Sequence, residues 1–434
     1  LSPTFRALAH RNYRLYWSGG FVSNIGTWMQ RVAQDWLVLL LTNNSGTALG
    51  ITTGLQFLPI LLLSPWAGAV ADRLPKQRLL QVAQLMMAAP ALALGLLAVT
   101  GLAQPWHVYV IALLFGIGTA FEAPVRQSFV SELVSADDLP NAVGLNSVSF
   151  NLGRIVGPAV AGLTIALFGS GVEATGVVIL INALSYGPVF FALGRLRDLP
   201  HDPDADRSRR PGMVLDGMRY VRSRPDLLLV LAVMGFVGTF GLNFQLTSAL
   251  MATEVYAQGA GEYGILGSTM ALGSIVGSLL AARRTSTRLR LVVGAALAFG
   301  VAEIVIATMP TYLTFVALTP LIGITAMTTI TAANTTMQLT VPAELRGRVM
   351  ALYLMVFMGG TPLGSPIVGW VGETFGARWS LAGGGVMSIL GTLGSVAVFW
   401  HLSRRRERRT ADAAGDNQRV PDPLEADPAT QPVP

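Results

Sequence analysis

Runs of about twenty mainly apolar residues, long enough to cross a bilayer as a helix, recur along the chain between short polar or turn-forming stretches. The pattern predicts twelve membrane spans, near residues 14–41, 47–70, 79–100, 107–129, 141–168, 174–195, 227–251, 262–282, 290–309, 311–335, 346–371 and 379–402. The expected fold class is an all-α membrane protein whose twelve transmembrane helices form two pseudo-symmetric halves of six. The first span is too long, and too polar at its start, to be a cleaved signal peptide. Residues 196–226 break the rhythm between the sixth and seventh spans with charges of both signs and with Pro200, Pro203, Pro211 and Pro225. Within this stretch Val214, Met218 and Val221 share one helical face and Arg219 and Arg222 lie elsewhere, as in a short helix lying on a membrane surface. Residues 403–434 are charged and rich in Pro, Ala and Asp, and disorder is expected there. The organisation read is an N-terminal segment 1–13, a first half 14–195, a linker 196–226, a second half 227–402 and a tail 403–434.

The halves echo each other. Gly153, Gly157 and Gly162 in the fifth span recur at a constant offset as Gly360, Gly364 and Gly369 in the eleventh, and Ala71–Asp72–Arg73 through Arg78 recurs as Ala281–Ala282–Arg283 through Arg288. Two related six-helix halves are a transporter layout, with a substrate site near the bilayer midplane between them.

Charge then orients the chain. Apolar residues make up 52% of it and charged residues 12%, about half the charge of an ordinary soluble domain, which argues against a soluble enzyme and against a disordered chain. The net charge of +6 would raise nucleic acid as a partner, but the basic residues gather on one side of the spans. Arg6, Arg11, Arg73, Lys76, Arg78, Arg197, Arg219, Arg222, Arg283, Arg288 and the run Arg404 to Arg409 all fall there, while the opposite connections are nearly uncharged. By the positive-inside rule both termini are cytoplasmic, and the basic surplus is a topology signal. There is no cysteine, and the four histidines are scattered singly, so no metal site, cofactor or cysteine nucleophile is expected.

A few polar residues remain inside the spans, where a charge costs about 2.5–3.5 kcal/mol on insertion scales. Asn24, Trp28, Arg31 and Asp35 share one face of the first span. Thr119, Glu122 and Arg126 share a face of the fourth. Ser147, Asn151 and Arg154 mark the fifth, Thr239, Asn243 and Thr247 the seventh, and Glu303 the ninth. Spans one, four and seven are read as lining the cavity, with Asn24, Trp28, Thr119, Asn151, Thr239 and Asn243 facing substrate. Arg31 can pair with Asp35, and Glu122 with Arg126, one helical turn apart. A carboxyl moved between apolar and hydrated surroundings changes its hold on a proton, so Asp35 leads a set of proton-coupling candidates completed by Arg31, Glu122, Arg126, Arg154 and Glu303. Packing is the alternative for Trp28, a structural ion pair for Glu122 and Arg126, and an interhelical contact for Glu303. Gly153, Gly157 and Gly162 remove bulk from one flank of the fifth span, and Pro158 removes a backbone donor there.

Residues 68–78, carrying Gly68, Asp72, Arg73, Lys76 and Arg78, resemble the loop signature between helices two and three of the major facilitator superfamily. Residues 153–162, with Gly153, Gly157, Pro158 and Gly162, resemble its antiporter motif on helix five. Arg11–Asn12–Tyr13–Arg14 through Arg31, Asp138 through Asn141 and on to Asn151, and Gly217 through Arg222 add a resemblance to the enterobactin-exporter-like, transmembrane secretion effector branch. The usual arginine early in helix four is absent, where Phe115, Gly116 and Gly118 stand, and Ala282 replaces the acid that Asp72 provides in the first loop. The resemblance implies that the residue 68–78 loop latches the inner gate. It also implies a monomeric secondary transporter of a bacterial cell membrane, not an enzyme, exporting drug-like or siderophore-like small molecules in exchange for protons. A proton-coupled importer and a non-transporting sensor are the alternatives. The lipid bilayer, protons and a small-molecule substrate are the partners expected.

Overall fold

The computed structural model describes residues 3–197, 213–283 and 288–416. Helix α1 is Arg11–Leu41, α2 Gly46–Arg73, α3 Lys76–Val99, α4 Pro105–Phe129, α5 Leu139–Leu167 and α6 Val172–Gly194. The linker carries α7, Met213–Arg222. The seventh crossing is broken: α8 (Pro225–Phe236) passes into a wide π turn (Val237–Gly241), restarts as α9 (Phe244–Leu250) and ends in a second π turn (Met251–Val255). Helices α10 (Ala260–Ala282), α11 (Leu289–Ala307), α12 (Tyr312–Thr340), α13 (Ala343–Phe375) and α14 (Ala377–Asp416) complete the second half. Among the described residues eleven segments are long and apolar enough to cross a membrane. Helix α1, with 31 residues, is the twelfth crossing, its apolar content diluted by the polar face described above.

Two details differ from expectation. Helix α14 continues through Asp416, so residues 403–416 extend the last crossing as a helix where disorder was expected; 417–434 lie outside the described residues. In α7, Val221 is buried in the core while Met218 is exposed, so the two residues expected on one apolar face split between protein and surroundings. Val214 and Gly217 are outside the described side chains.

The internal repeat reappears as packing. In the first half α1 packs on α5 and α6, α2 on α4, and α3 on α4 and α6; in the second half the seventh crossing packs on α13 and α14, α10 on α12, and α11 on α12 and α14. The halves meet through α2 against α13 and α5 against α10, two pairs that exchange under the pseudo-twofold axis. The repeated glycines make these contacts close. A Cβ at Gly157 would fall 2.6 Å from Trp28 Cβ and 2.9 Å from the Ile25 carbonyl oxygen of α1. Its counterpart Gly364 lies against the Thr239 carbonyl of the seventh crossing, Gly162 against the Ala260 carbonyl of α10, and Gly369 against the Gly46 carbonyl of α2. Close backbone approach of this kind is how helices associate in lipid, where burial of apolar surface gives no advantage.

The two ends of the bundle differ. Towards the distal face, which carries residues 42–45, 168–171, 256–259 and 376, helices of the two halves meet backbone to backbone, Gly46 with Gly369 and Gly162 with Ala260. Towards the terminal face, which carries the N-terminal segment and the linker, a Cβ at Gly20, Gly144 or Gly347 meets nothing within 4 Å. The close backbone contacts between the halves thus lie towards the distal face.

The N-terminal segment is tied to the first turn of α5. Asp138 accepts from the Arg6 guanidinium and lies 2.7 Å from His10 Nε2, Asn141 Oδ1 accepts from the Ala7 amide at 2.9 Å, and Tyr13 donates to the Ala142 carbonyl at 2.7 Å. Two of the stretches that carried the resemblance are therefore one structural joint. Tyr13→Phe removes a buried donor and leaves that carbonyl without this partner, so we expect a loss of about 1 kcal/mol, read as a lowered thermal midpoint of the purified protein.

Candidate functional site

The polar face of α1 runs along the seam between the halves, and its partners change with depth. Nearest the terminal face, Asn24 Nδ2 donates to Ser149 Oγ at 2.8 Å and Asn24 Oδ1 accepts from Arg126 Nη1 at 3.3 Å. Arg126 Nε lies 3.2 Å from Glu122 Oε1, the ion pair that the one-turn spacing suggests. Further along, Trp28 stands edge-on to Phe150 with ring centres 5.7 Å apart. Two guanidinium carbons lie over Trp28, Arg31 at 4.7 Å and Arg154 at 5.5 Å from the ring centre. Arg31 also lies over Phe57 at 5.5 Å. Arg154 reaches across to the second half, where its Nη2 donates to Ser274 Oγ at 3.4 Å.

Deepest towards the distal face, Asp35 is 5% exposed. Its Oδ2 accepts from Gln245 Nε2 at 2.6 Å and from the Tyr263 hydroxyl at 2.8 Å. Gln245 is on α9 and Tyr263 on α10, so both bonds join the halves. Trp36 stacks on Tyr263 at 6.3 Å beside them. Arg31 and Asp35 form no ion pair. The carboxylate oxygen is taken by neutral donors from the other half, and the guanidinium turns to the rings of Trp28 and Phe57.

A second link closes the distal face. Glu373 Oε2 of α13 accepts from Ser45 Oγ at 2.8 Å and from the Thr47 amide at 2.9 Å. A carboxylate on the free amides that begin α2 is favoured by charge-assisted bonding and by the helix dipole. Removing its charge with Glu373→Gln should shift the protein towards a distal-open form by about threefold to tenfold, from a loss of about 1 kcal/mol. Spin-label distances across the distal face measure this; unchanged distances would remove Glu373 from the closure.

Other candidates are placed elsewhere. Thr119 donates to the Phe115 carbonyl at 2.9 Å and Asn151 to that of Ser147 at 2.9 Å, each within its own helix. Asn243 Nδ2 donates to the Thr239 carbonyl at 2.8 Å, bridging the break in the seventh crossing. Thr239 itself packs against Gly360 and Gly364 of α13. Glu303 is 1% exposed inside the second half, where its Oε2 has no hydrogen-bond partner among the described residues and would lie 3.3 Å from a Cβ at Gly241. It is apart from the α1 seam. In the residue 68–78 loop, Lys76 Nζ lies 2.5 Å from Glu132 Oε1, a contact within the first half, and Arg78 is exposed. Gly68, Asp72 and Arg73 lie outside the described side chains. Gly153, Gly157 and Pro158 face α1 and α10, Gly153 lying 3.1 Å from Trp28 Cδ1 when a Cβ is built on it.

Gln245, Tyr263 and Glu373 were not singled out by sequence. Gln245 stands in the polar stretch that supplied Asn243 and Thr247, and that stretch was the available signal. Tyr263 and Glu373 carry none, since a tyrosine or glutamate near a span end fits an interfacial position equally well.

The comparisons with known proteins agree with this architecture. The family model for transmembrane secretion effectors matches residues 2–430. The staphyloferrin A transporter of Staphylococcus aureus is 26% identical over 398 residues, covering 90% of this chain and 96% of the relative. The multidrug efflux pump Tap of Mycolicibacterium fortuitum is 30% identical over 390 residues, covering 87% and 92%. Among solved structures, a bacterial homologue of the human lysosomal transporter Spinster, in an inward-facing and occupied conformation, superposes with a TM-score of 0.68 at 17% identity, covering 93% of this chain and 98% of that one. The chain is thus a multi-pass membrane transporter, not an enzyme, and belongs to the transmembrane secretion effector family of the major facilitator superfamily.

Proposed function

We propose that the protein is a monomeric secondary exporter of a bacterial cell membrane, with both termini cytoplasmic, moving a siderophore-like or drug-like molecule outward in exchange for protons by alternating access. The observation that carries the reading is the Asp35 carboxylate bonded to both Gln245 and Tyr263 across the closed distal face.

Antiport requires that the carrier cross only when loaded with a proton or with substrate. Asp35 supplies such a rule. As a carboxylate it accepts two charge-assisted hydrogen bonds, each about twice as strong as its neutral equivalent, and it holds the empty protein closed at the distal face. A proton on Asp35 removes the charge and weakens both bonds, so the proton-loaded form crosses. Substrate seated beside Arg31 and Trp28, one and two turns from Asp35 on α1, disturbs the same bonds and lets the substrate-loaded form cross. The names of the relatives, a siderophore transporter and a drug efflux pump, supply the substrate range of the proposal. The bonds that join the halves towards the distal face support a cavity filled from the cytoplasm.

Expression in a bacterial host stripped of its own exporters tests the direction. Cells loaded with staphyloferrin A or with ethidium should lose the compound several-fold faster than empty-vector cells for at least one of the two. Faster accumulation of both compounds on expression would instead favour an importer.

A further inference from the structure

The charges buried along the α1 seam do not balance. Arg126 is matched by Glu122 at 3.2 Å. Asp35 is matched by two neutral donors. Arg31 and Arg154 form no ion pair among the described residues. Among the described residues Arg31 has no hydrogen-bond partner, and its Nε is buried without one. Arg154 has one contact, a long 3.4 Å bond to the Ser274 hydroxyl, which carries no charge. Both guanidinium groups converge on one indole, at 4.7 and 5.5 Å from its centre. An aromatic face steadies a guanidinium but leaves its charge in place, and a cation inside a bilayer is kept at considerable cost. Two like charges held together over one ring, one from α1 and one from α5, make a place suited to an anion.

We propose that Arg31 and Arg154 form an anion subsite, and that the transported molecule carries at least two carboxylates or equivalent anionic oxygens that bridge the two guanidinium groups above Trp28. The proposal deepens the exporter reading, on which it rests for calling this cavity the substrate path. Each guanidinium presents a planar fork of donors that fits a carboxylate with two parallel bonds. Arg154 is tied to the second half through Ser274, whereas Arg31 belongs to the first. An anion spanning both therefore touches the two elements whose relative position changes when the cavity opens to the other side. Glu122 is paired with Arg126, and Asp35, one turn from Arg31, is bonded to the neutral donors Gln245 and Tyr263, so Arg31, Arg154 and Asp35 together carry one excess positive charge. A cationic substrate would meet that excess here.

Equilibrium binding to the purified full chain tests this without any transport step. The probes share one scaffold: benzene-1,3,5-tricarboxylate as the trianion, and 1,3,5-tris(aminomethyl)benzene as the trication. The expected result is saturable binding of the tricarboxylate, weakened at least tenfold by Arg31→Gln and by Arg154→Gln, with weaker loss in Arg31→Lys, which keeps the charge but not the fork. Thermal midpoints of the variants, measured without ligand, establish that they are folded. Arg219→Gln, an exposed arginine of α7, should leave binding unchanged. The proposal is overturned if the tricarboxylate does not bind, if the folded arginine variants bind it as the native protein does, or if the trication binds more tightly. Tricarboxylate binding with no export of any anion in vesicles would leave the subsite standing and remove the exporter reading.

Discussion

Asp35→Asn should abolish concentrative export while sparing exchange. Asparagine cannot take up and release the proton, and it presents to Gln245 and Tyr263 the neutral oxygen that a protonated Asp35 would present. Bonds to a charged acceptor contribute about 1.5–3 kcal/mol and neutral ones about 1 kcal/mol, so with two bonds the distal closure should weaken by about 1–4 kcal/mol. That corresponds to a shift of about fivefold to a thousandfold in the balance of the two conformers. In proteoliposomes the variant should lose at least tenfold in transport driven by a pH gradient, yet exchange external for internal substrate at a rate near that of the native protein. Gln245→Leu and Tyr263→Phe should shift the conformers in the same direction but keep a pH-dependent rate, since the titrating group remains. A native response to the gradient in Asp35→Asn would remove this residue from coupling.

The second large effect is steric. A side chain at Gly364 collides with the Thr239 carbonyl, and at Gly157 with α1 at 2.6 Å from Trp28 Cβ. The obstacles are backbone and a helix-borne Cβ, which cannot rotate away as the far end of a side chain would. Overpacking in a tight interior costs about 1–3 kcal/mol and sometimes more, and Gly364→Val adds three carbons where a single one already overlaps. Folded yield of Gly364→Val and Gly157→Val, read by monodisperse elution in detergent, should fall several-fold or vanish. Gly144→Val, at a position with open space around it, should elute as the native protein does. Equal yields of all three would mean that the repeated glycines are not the contacts that hold each half together.

Much of the architecture is legible in the chain because lipid imposes simple rules on it. Twelve apolar runs, an excess of arginine on alternate connections and a glycine series repeated at constant spacing can each be read without coordinates, and the glycines Gly153, Gly157, Gly360 and Gly364 pack as the repeat implies. The broken seventh crossing is not legible, because Val237–Gly241 is as apolar as any membrane helix and its π turn depends on what α13 and α14 place beside it. The candidate site divides in the same way. Residues of one helix face, Asn24 to Asp35, follow from spacing alone. Their partners belong to other helices, and spacing within α1 suggested Arg31 for Asp35 when Gln245 and Tyr263 of the opposite half lie at 2.6 and 2.8 Å. Local pairing rules state what can meet within a helix; which groups win is decided by the neighbours that the fold delivers.

The central claim, that outward movement of an anion is exchanged for inward movement of protons, is tested most directly in everted membrane vesicles with an acidic interior. The compound whose export is seen in intact cells, added outside, should enter and release protons, seen as recovery of a pH-sensitive dye, and collapse of the gradient should stop its entry. Entry that continues unchanged after the gradient is collapsed, with no proton release, would contradict the account.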